Sequence, residues 1–281
     1  MIGSGHYPGR KNTMRRLAVV LLAILILTAC TGRGQRPEDV PTQASVEGVA
    51  TSLPLTQFAP PTPYNRPVAA FASVDNRLNE LAGYRYVVQL EFNGVFARTP
   101  RETSATAQAE VWFNQVASAR RVILSTSGEL VGQTENNSYE AVRLGPDAFL
   151  VRDGLCLTGA ANAAETAAAL SAGALVGGVS TATPGGRRAT INGEDSYYYS
   201  FDPADLVLPA LRVGDGGSIT YQSGELWITP AKNAVTRFYL NLDVDNVVIF
   251  DRQLPVTGTV LIRYDLYDAG NAFNITVPFG C

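Results

Sequence analysis

Few side chains in this sequence of 281 residues are suited to nucleophilic or metal chemistry, because it contains only three cysteines and one histidine. The cysteines are Cys30, Cys156 and Cys281, and the histidine is His6. A cysteine thiol can be acylated, can form a disulfide, or can attack a substrate when a base activates it. Imidazole is the usual base, and it is also a common ligand of zinc, copper and iron. A single histidine near the N-terminus therefore argues against a Ser-His-Asp or Cys-His catalytic site.

Carboxylates are the remaining candidates for catalysis or metal binding. Glu194 and Asp195 precede three tyrosines, and Asp243 and Asp245 stand beside Asn246. A glycoside hydrolase needs two carboxylates at a set separation, and the second cluster lacks the glycine-containing loop of an EF-hand. The sequence also has no nucleophile elbow and no phosphate-binding loop. We interpret these acids as solvated turn residues and predict no catalytic residue, no metal site and no cofactor.

The N-terminal segment has the pattern of an export signal. Four basic residues and no acidic residue precede an apolar run from Leu17 to Leu27, which is too short to span a bilayer. Residues 27–30, Leu-Thr-Ala-Cys, resemble the lipobox of bacterial lipoproteins. We predict that residues 1–29 are removed and that Cys30 carries a diacylglyceryl anchor, which places the protein in the cell envelope, outside the cytoplasm. The alternatives are an ordinary signal with a chance cysteine and an uncleaved anchor.

Removal of the signal makes the chain more acidic. Four of the 22 basic residues and none of the 25 acidic residues lie before Cys30, so 18 basic residues remain and the net charge becomes −7. His6 leaves with the signal, so no imidazole remains. Because an acidic chain without a basic stripe lacks the electrostatic footprint for nucleic acid, we predict no nucleic-acid partner.

Cys156 and Cys281 remain as an even pair in an oxidising compartment. Such a pair is expected to form a disulfide, which would tie the C-terminal strand to the middle of the domain. Two free thiols are the alternative.

The exported chain divides into a tether and one domain. Residues 30–66 are rich in proline, threonine and glutamine and show no sustained period, which indicates an extended tether. Residues 67–281 are long enough for one sizeable core. At their start, apolar residues recur at steps of three and four from Val68 to Leu81, and Gly83 follows as a possible cap. This spacing predicts a helix over residues 68–82 that covers a sheet.

A period of two then replaces the helical period. Alternating apolar and polar residues predict strands over 84–93, 105–113, 121–126, 138–144 and 148–152, with turns that include Asn93-Gly94, Ser127-Gly128 and Asp153-Gly154. This pattern predicts an antiparallel meander with one apolar face and one wet face.

The second half repeats this succession of helix and strands. Asn162 and Glu165 have the spacing of a capping box, and we predict a helix over residues 162–175. The glycine-rich stretch Gly177–Arg188 is interpreted as a flexible loop. Further strands are predicted over 188–191, 196–201, 217–222, 225–229, 235–244, 256–267 and 272–277.

Three stretches of the second half resemble the LolA-like superfamily, in particular its LppX/LprG-type lipoproteins. Residues 190–201, Thr-Ile-Asn-Gly-Glu-Asp-Ser-Tyr-Tyr-Tyr-Ser-Phe, are similar to a strand pair of that group. Residues 224–228, Gly-Glu-Leu-Trp-Ile, are similar to its Gly-x-x-Trp-Ile-Asp hairpin. The strand over 261–267 and the residues 274–278, Asn-Ile-Thr-Val-Pro, are similar to its ending. In order of elements, the resemblance covers residues 67–279.

This resemblance implies an α+β fold, in which a long antiparallel curved sheet forms a half-barrel and helices cover its concave face. In that superfamily the cavity between sheet and helices receives acyl chains, so the leading hypothesis is an anchored protein that binds or transfers a lipid or other long apolar ligand. Alternate strand positions predict six lining residues, which could equally be plain core: Tyr86, Val88, Leu90, Phe238, Leu240 and Leu242.

Two other hypotheses remain open. If the helices fill the half-barrel, the protein would be a docking or assembly lipoprotein that acts through its surface on an envelope partner not identified by the sequence. An envelope glycan hydrolase would need two carboxylates to converge beside Trp112 or Trp227, whose rings could stack on a sugar. We interpret both tryptophans as cover for a sheet face.

Overall fold

The computed structural model describes residues 67–131, 138–250 and 254–281. The predicted signal, the acylated Cys30 and the tether over residues 30–66 lie outside the described residues and stay predictions. Among the described helices, none has both the length and the apolar composition to cross a membrane.

One antiparallel sheet of thirteen strands dominates the described residues. Its strands are β1 (Ala69–Phe71), β2 (Gly83–Phe96), β3 (Glu102–Asn114), β4 (Ala119–Ser127), β5 (Tyr139–Leu144), β6 (Asp147–Arg152), β7 (Leu155–Cys156), β8 (Gly178–Ile191), β9 (Glu194–Ser200), β10 (Leu206–Val207), β11 (Leu211–Thr229), β12 (Ala234–Ile249) and β13 (Val256–Tyr267). Across the sheet the order is β1-β8-β9-β11-β12-β13-β2-β3-β4-β5-β6-β7, and β10 pairs with β8. The long strands β2, β12 and β13 therefore lie side by side in its centre.

Two short α-helices follow β7, namely α1 (Ala161–Ala168) and α2 (Ala172–Val176). Within the described ranges, three single turns of 3₁₀-helix lie at Leu78–Glu80, Glu129–Val131 and Pro203–Asp205. Helices thus supply only a small part of what contacts the sheet: α1 packs on β4, β5 and β6, and α2 packs on β2 and β13.

The alternation of the central strands gives the sheet one buried face, which we call the inner face. In β2 every second residue from Tyr84 to Phe92 is buried. Three consecutive rows of paired residues cross β12, β13 and β2 on this face: Phe238–Tyr264–Val88, Leu240–Ile262–Leu90 and Leu242–Val260–Phe92. Because side chains alternate across a strand, the residues between these rows form the outer face.

The sheet curves over its inner face at the β1 side. Strand β8 contacts β12, although β9 and β11 lie between them in the sheet. Its Val179 and Ala182 are buried in the same apolar cluster as the central rows. This curvature agrees with the predicted half-barrel. A layer of helices over the whole concave face is not seen, and much of the contact comes from the sheet itself and from the segment after β1.

The predicted helix over residues 68–82 is wrong. Its first residues form β1 on the edge of the sheet, and the rest is a series of turns that ends in one 3₁₀ turn. Arg77 has a left-handed backbone with φ of 70°, which a continuous α-helix does not allow. The apolar spacing nevertheless reflects burial, because Phe71, Val74 and Leu78 all enter the core.

Three further predictions are corrected. The stretch predicted as a loop, Gly177–Arg188, is mostly strand β8, because pairing with β1 and β9 overrides its glycine and proline content. The strand predicted over 272–277 does not form, since these residues run without regular pairing. Asn93 and Gly94 lie within β2 and not at a turn, and a Cβ at Gly94 would lie 2.2 Å from the carbonyl oxygen of Thr257 on β13.

The second predicted helix forms in two pieces, with a break at residues 169–171. Ala160 is the N-terminal cap of α1, so the predicted capping box at Asn162 is wrong. The disulfide between Cys156 and Cys281 is confirmed, with Cα atoms 5.2 Å apart. It joins β7 to the irregular C-terminal tail and not to a C-terminal strand.

Candidate functional site

The six predicted lining residues come together on the inner face. Five of them lie in the three central rows, on β2 and β12, and β13 separates the two strands. Tyr86 lies one row further along β2, opposite Leu266 of β13. All six side chains are at most 3% exposed, so the described structure is closed around them. Their role as ligand contacts stays a prediction.

The inner face changes character at the end where β2 begins. Tyr84 and Tyr86 stack there with ring centroids 5.9 Å apart, and Tyr264 lies 5.6 Å from Tyr86. Burial raises the pKa of all three hydroxyls, so they stay protonated as hydrogen-bond donors. The hydroxyl of Tyr264 is buried and has no hydrogen-bond partner among the described residues.

Arg120, the second residue of β4, points into this group of tyrosines. Its Nη1 donates to the hydroxyl of Tyr84 at 3.0 Å, and its Nη2 donates to that of Tyr86 at 3.1 Å and to the carbonyl oxygen of Leu170 at 2.6 Å. Its Nε is buried without a partner among the described residues. Burial lowers the pKa of Arg120, but Tyr86, Tyr84 and Asp75 together raise it by more, so the guanidinium keeps its charge.

A second arginine stands directly beside Arg120. Arg143 of β5 is its paired residue in the antiparallel ladder, so both side chains leave the sheet on the same face. Among the described residues, no carboxylate oxygen comes within 4.0 Å of either guanidinium, the distance that defines an ion pair. Two unpaired like charges on facing positions are an unusual arrangement in a sheet.

Asp75 holds α2 at this end of the inner face. Its Oδ2 accepts hydrogen bonds from Ser171 Oγ and Ala172 N, both at 2.8 Å, and its Oδ1 accepts from Gly173 N at 3.1 Å. A Cβ at position 173 would lie 1.7 Å from Ser73 Oγ, so this close approach requires glycine. The start of α2 is therefore capped by a side chain almost a hundred positions earlier in the sequence.

The candidate catalytic acids do not converge. Asp195 accepts two hydrogen bonds from Arg188, at 2.6 and 2.7 Å, and Glu194 accepts one from Lys232 at 2.6 Å. On the far side of β11, Asp243 accepts from Gln222 Nε2 at 2.6 Å, and Asp245 accepts from Thr257 at 2.8 Å. Three of these acids have a partner on a neighbouring strand, and Glu194 has one in the turn between β11 and β12. No group of three or more metal-ligating side chains forms within the described residues.

Trp112 and Trp227 both lie on the outer face, among arginines. Trp112 is contacted by Arg85 and Arg121, with guanidinium carbons 6.0 and 5.2 Å from its ring, and Trp227 packs edge-on against Tyr198. The side chain of Trp227 donates to Glu225 at 2.9 Å. Both tryptophans thus cover the outer face, which agrees with their interpretation from the sequence.

Sequence reasoning missed Arg120, Arg143 and Asp75. Arg120 could have been noticed in the sequence, because Arg120, Val122 and Leu124 are every second residue of a predicted strand and should share one face. A charged residue on an otherwise apolar strand face is a sign of a polar site. The contact with Arg143 depends on the register of β4 and β5, and the contact of Asp75 with α2 depends on tertiary packing. Neither can be read from one sequence.

No family model matches the sequence, and no curated protein matches it. Among solved structures, the chain is similar to LprF from Mycobacterium bovis, with 16% identity over 74% of this chain and 93% of the other, at a TM-score of 0.35. It is also similar to a LolA superfamily protein from Nitrosomonas europaea, with 11% identity, coverage of 74% and 96%, and a TM-score of 0.22.

Proposed function

We propose that this protein is an envelope lipoprotein whose curved sheet binds a lipid acyl chain, or another long apolar ligand, on its inner face. The observation that carries the proposal is the extent of the apolar surface there. Three rows across β12, β13 and β2 contain only apolar and aromatic side chains. Tethering at Cys30 and an extracytoplasmic location rest on the N-terminal sequence.

The inner face is long enough for an acyl chain. The five alternate residues of β2 from Tyr84 to Phe92 extend over about 26 Å at the usual rise of a strand. One acyl chain spans half of a hydrocarbon core of about 30 Å, and therefore about 15 Å. Since each buried methylene contributes about 0.8 kcal/mol, this surface can supply substantial affinity without any polar contact.

Entry requires the segment over this face to move. Helix α2 has five residues and is held at its start through Asp75, while Leu170 is held by Arg120. Hydrogen bonds of this kind contribute about 0.5–3 kcal/mol each, much less than the packing of a long helix. In this proposal, residues 170–176 shift outward and the ligand takes their place against β2 and β13.

A docking lipoprotein is the second candidate, and one observation favours it. The six predicted lining residues are already buried without a ligand, as they would be in a filled core. Such a protein would act through its outer face, where an open cleft of about 350 Å³ is lined by residues that include Tyr239, Asn241 and Arg263.

A chain-length series separates the two candidates. The whole protein, purified from bacterial membranes and freed of bound lipid, is titrated with saturated fatty acids of increasing length in competition with a fluorescent polyene fatty acid. Acyl-chain binding predicts one saturable site and an affinity that rises by up to about fourfold per methylene. Weak, unsaturable binding with no dependence on chain length would contradict the proposal and favour docking.

A further inference from the structure

The end of the inner face at Arg120 and Arg143 has an excess of hydrogen-bond donors. The Nε of Arg120 and the hydroxyl of Tyr264 are both buried without a partner among the described residues. The carbonyl oxygen of Leu170 is shared, because it accepts from Arg120 at 2.6 Å and from the hydroxyl of Tyr86 at 3.4 Å. Unsatisfied buried donors cost free energy, and each needs an acceptor that this end of the sheet does not supply.

Charge at this end is also unbalanced. Arg120 and Arg143 face each other on β4 and β5, and no described carboxylate pairs with either. Asp75 is the acid that acts electrostatically on Arg120, but both of its oxygens already accept hydrogen bonds from Ser73 and from residues 171–173. Like charges on facing positions of a sheet destabilise it. An anion between the two guanidinium groups would remove this cost and accept from the free donors.

We infer that Arg120 and Arg143, together with the hydroxyl of Tyr264, bind the anionic head group of the ligand, a carboxylate or phosphate attached to an acyl chain. The inference rests on the proposed function, because the apolar rows that receive the chain begin directly beside these residues. Tyr264 belongs to the row of Phe238 and Val88, so it stands where the polar end meets the apolar surface.

As residues, Arg120 and Arg143 are both partly exposed, in contrast to the closed central rows, although the Nε of Arg120 is buried. A head group bound there can stay near the rim while its chain runs along β2 and β13. Arg120 would exchange its bond to Leu170 for one to the anion, which also releases the segment over the inner face.

Competition between charged and uncharged ligands tests this inference. Palmitate and methyl palmitate, which share one chain, displace the uncharged reporter diphenylhexatriene from the whole delipidated protein and from three variants. Arg120→Gln and Arg143→Gln each remove one of the two charges. Arg121→Gln is the matched control, because Arg121 is the next residue of β4 but lies on the outer face over Trp112. A cooperative urea unfolding transition, followed by circular dichroism, shows that each of the four proteins is folded, and the affinity for palmitate is then compared with that for the ester within each protein.

We expect the wild type and Arg121→Gln to bind palmitate about tenfold to a hundredfold more tightly than its ester, as a charge-assisted interaction predicts. In Arg120→Gln and in Arg143→Gln the preference for palmitate over its ester, taken within each variant, should fall below about threefold. Equal binding of acid and ester by the wild type would overturn the head-group inference and leave the proposed function standing. Displacement by neither ligand would overturn both.

A free anion is distinguished from a head group by inorganic phosphate. Phosphate at the concentration of the competing palmitate should leave both affinities unchanged, because it gains nothing from the apolar rows. If phosphate weakens palmitate binding as strongly as excess palmitate does, the site holds a free anion and the inference is wrong.

Discussion

The two ends of the inner face use the same strands in opposite ways. At one end the rows through Leu90 and Phe92 contain only apolar side chains and are closed to solvent. At the other end, Arg120 and Arg143 place two positive charges beside buried hydroxyls, with no carboxylate to pair them among the described residues.

The comparison indicates that the apolar rows determine the stability of the fold, while the polar end would determine which ligand binds. The apolar rows stabilise the fold and would hold any aliphatic chain, because the hydrophobic effect has no direction. The polar end holds Leu170 through Arg120, but it leaves the Nε of Arg120 and the hydroxyl of Tyr264 without acceptors among the described residues. An anion selected there would add chemical specificity to a surface that has none of its own.

The largest expected effect concerns the apolar rows. Ile262→Ala should lower the free energy of unfolding by about 2–5 kcal/mol, because it leaves a cavity beside Leu90 and Leu240. Its neighbour Leu261 lies on the outer face and is only partly buried, so Leu261→Ala should cost about 1 kcal/mol or less. Urea unfolding measures both. Equal losses would show that the two faces of the sheet do not differ as described.

The disulfide lies outside both ends and should act on stability alone. It closes a loop between residues 125 positions apart, so replacing both Cys156 and Cys281 with serine should cost about 2–4 kcal/mol. Palmitate affinity at 25 °C should stay the same, provided that the variant is folded. A change in the preference for palmitate over its ester would mean that the C-terminal tail takes part in binding.

The hold on α2 should weaken when Asp75 is replaced. Asp75→Asn keeps the shape of the side chain but removes the charge that accepts from Ala172 N and Gly173 N, at an expected cost of about 1–2 kcal/mol. Hydrogen exchange at these two amides should become faster. Asp202→Asn is the control, because Asp202 caps only the turn at Pro203–Asp205 through Ala204 N. Unchanged protection in Asp75→Asn would contradict the described role.

The smallest expected effect is that of Arg143→Gln, for which the direction of the change in the free energy of unfolding matters more than its size. In the ligand-free protein, Arg143→Gln should raise the free energy of unfolding by up to about 1 kcal/mol, because it removes the like charge at the position paired with Arg120. Arg121→Gln should lower it by less than about 1 kcal/mol, since Arg121 pairs with Glu140 at 2.8 Å near the surface. A loss of stability in Arg143→Gln would show that its charge is already compensated.

The sheet could largely be predicted from sequence, and the parts that depend on register could not. The strand predicted over 256–267 has the observed bounds of β13, because large apolar or aromatic residues occupy every second position from Val260 to Leu266. The helix predicted over residues 68–82 was wrong because the turns after Val68 bury the apolar residues at the same spacing that an amphipathic helix would. The loop predicted over residues 177–188 was wrong because the prediction used composition alone, whereas β1 and β9 pair with this segment and make it a strand.

For the site, the sequence supplied the apolar rows but not the polar end. Alternation alone put Val88, Leu90, Phe238 and Leu240 on one face, and they do share it. The pairing of Arg120 with Arg143 follows from the register between β4 and β5, which the intervening turn and side-chain packing decide together. Residues that meet through register are therefore the ones that only a structure reveals.

The central claim is that an acyl chain contacts the inner face, and a quenching experiment tests it most directly. In a chain with Trp112→Phe and Trp227→Phe, one tryptophan is placed on the inner face by Phe238→Trp or on the outer face by Tyr239→Trp. A bromine atom on the acyl chain quenches only a tryptophan that it touches. We predict saturable quenching by brominated palmitate at position 238 and none at position 239. Equal quenching at both positions, or none at 238, would contradict the account.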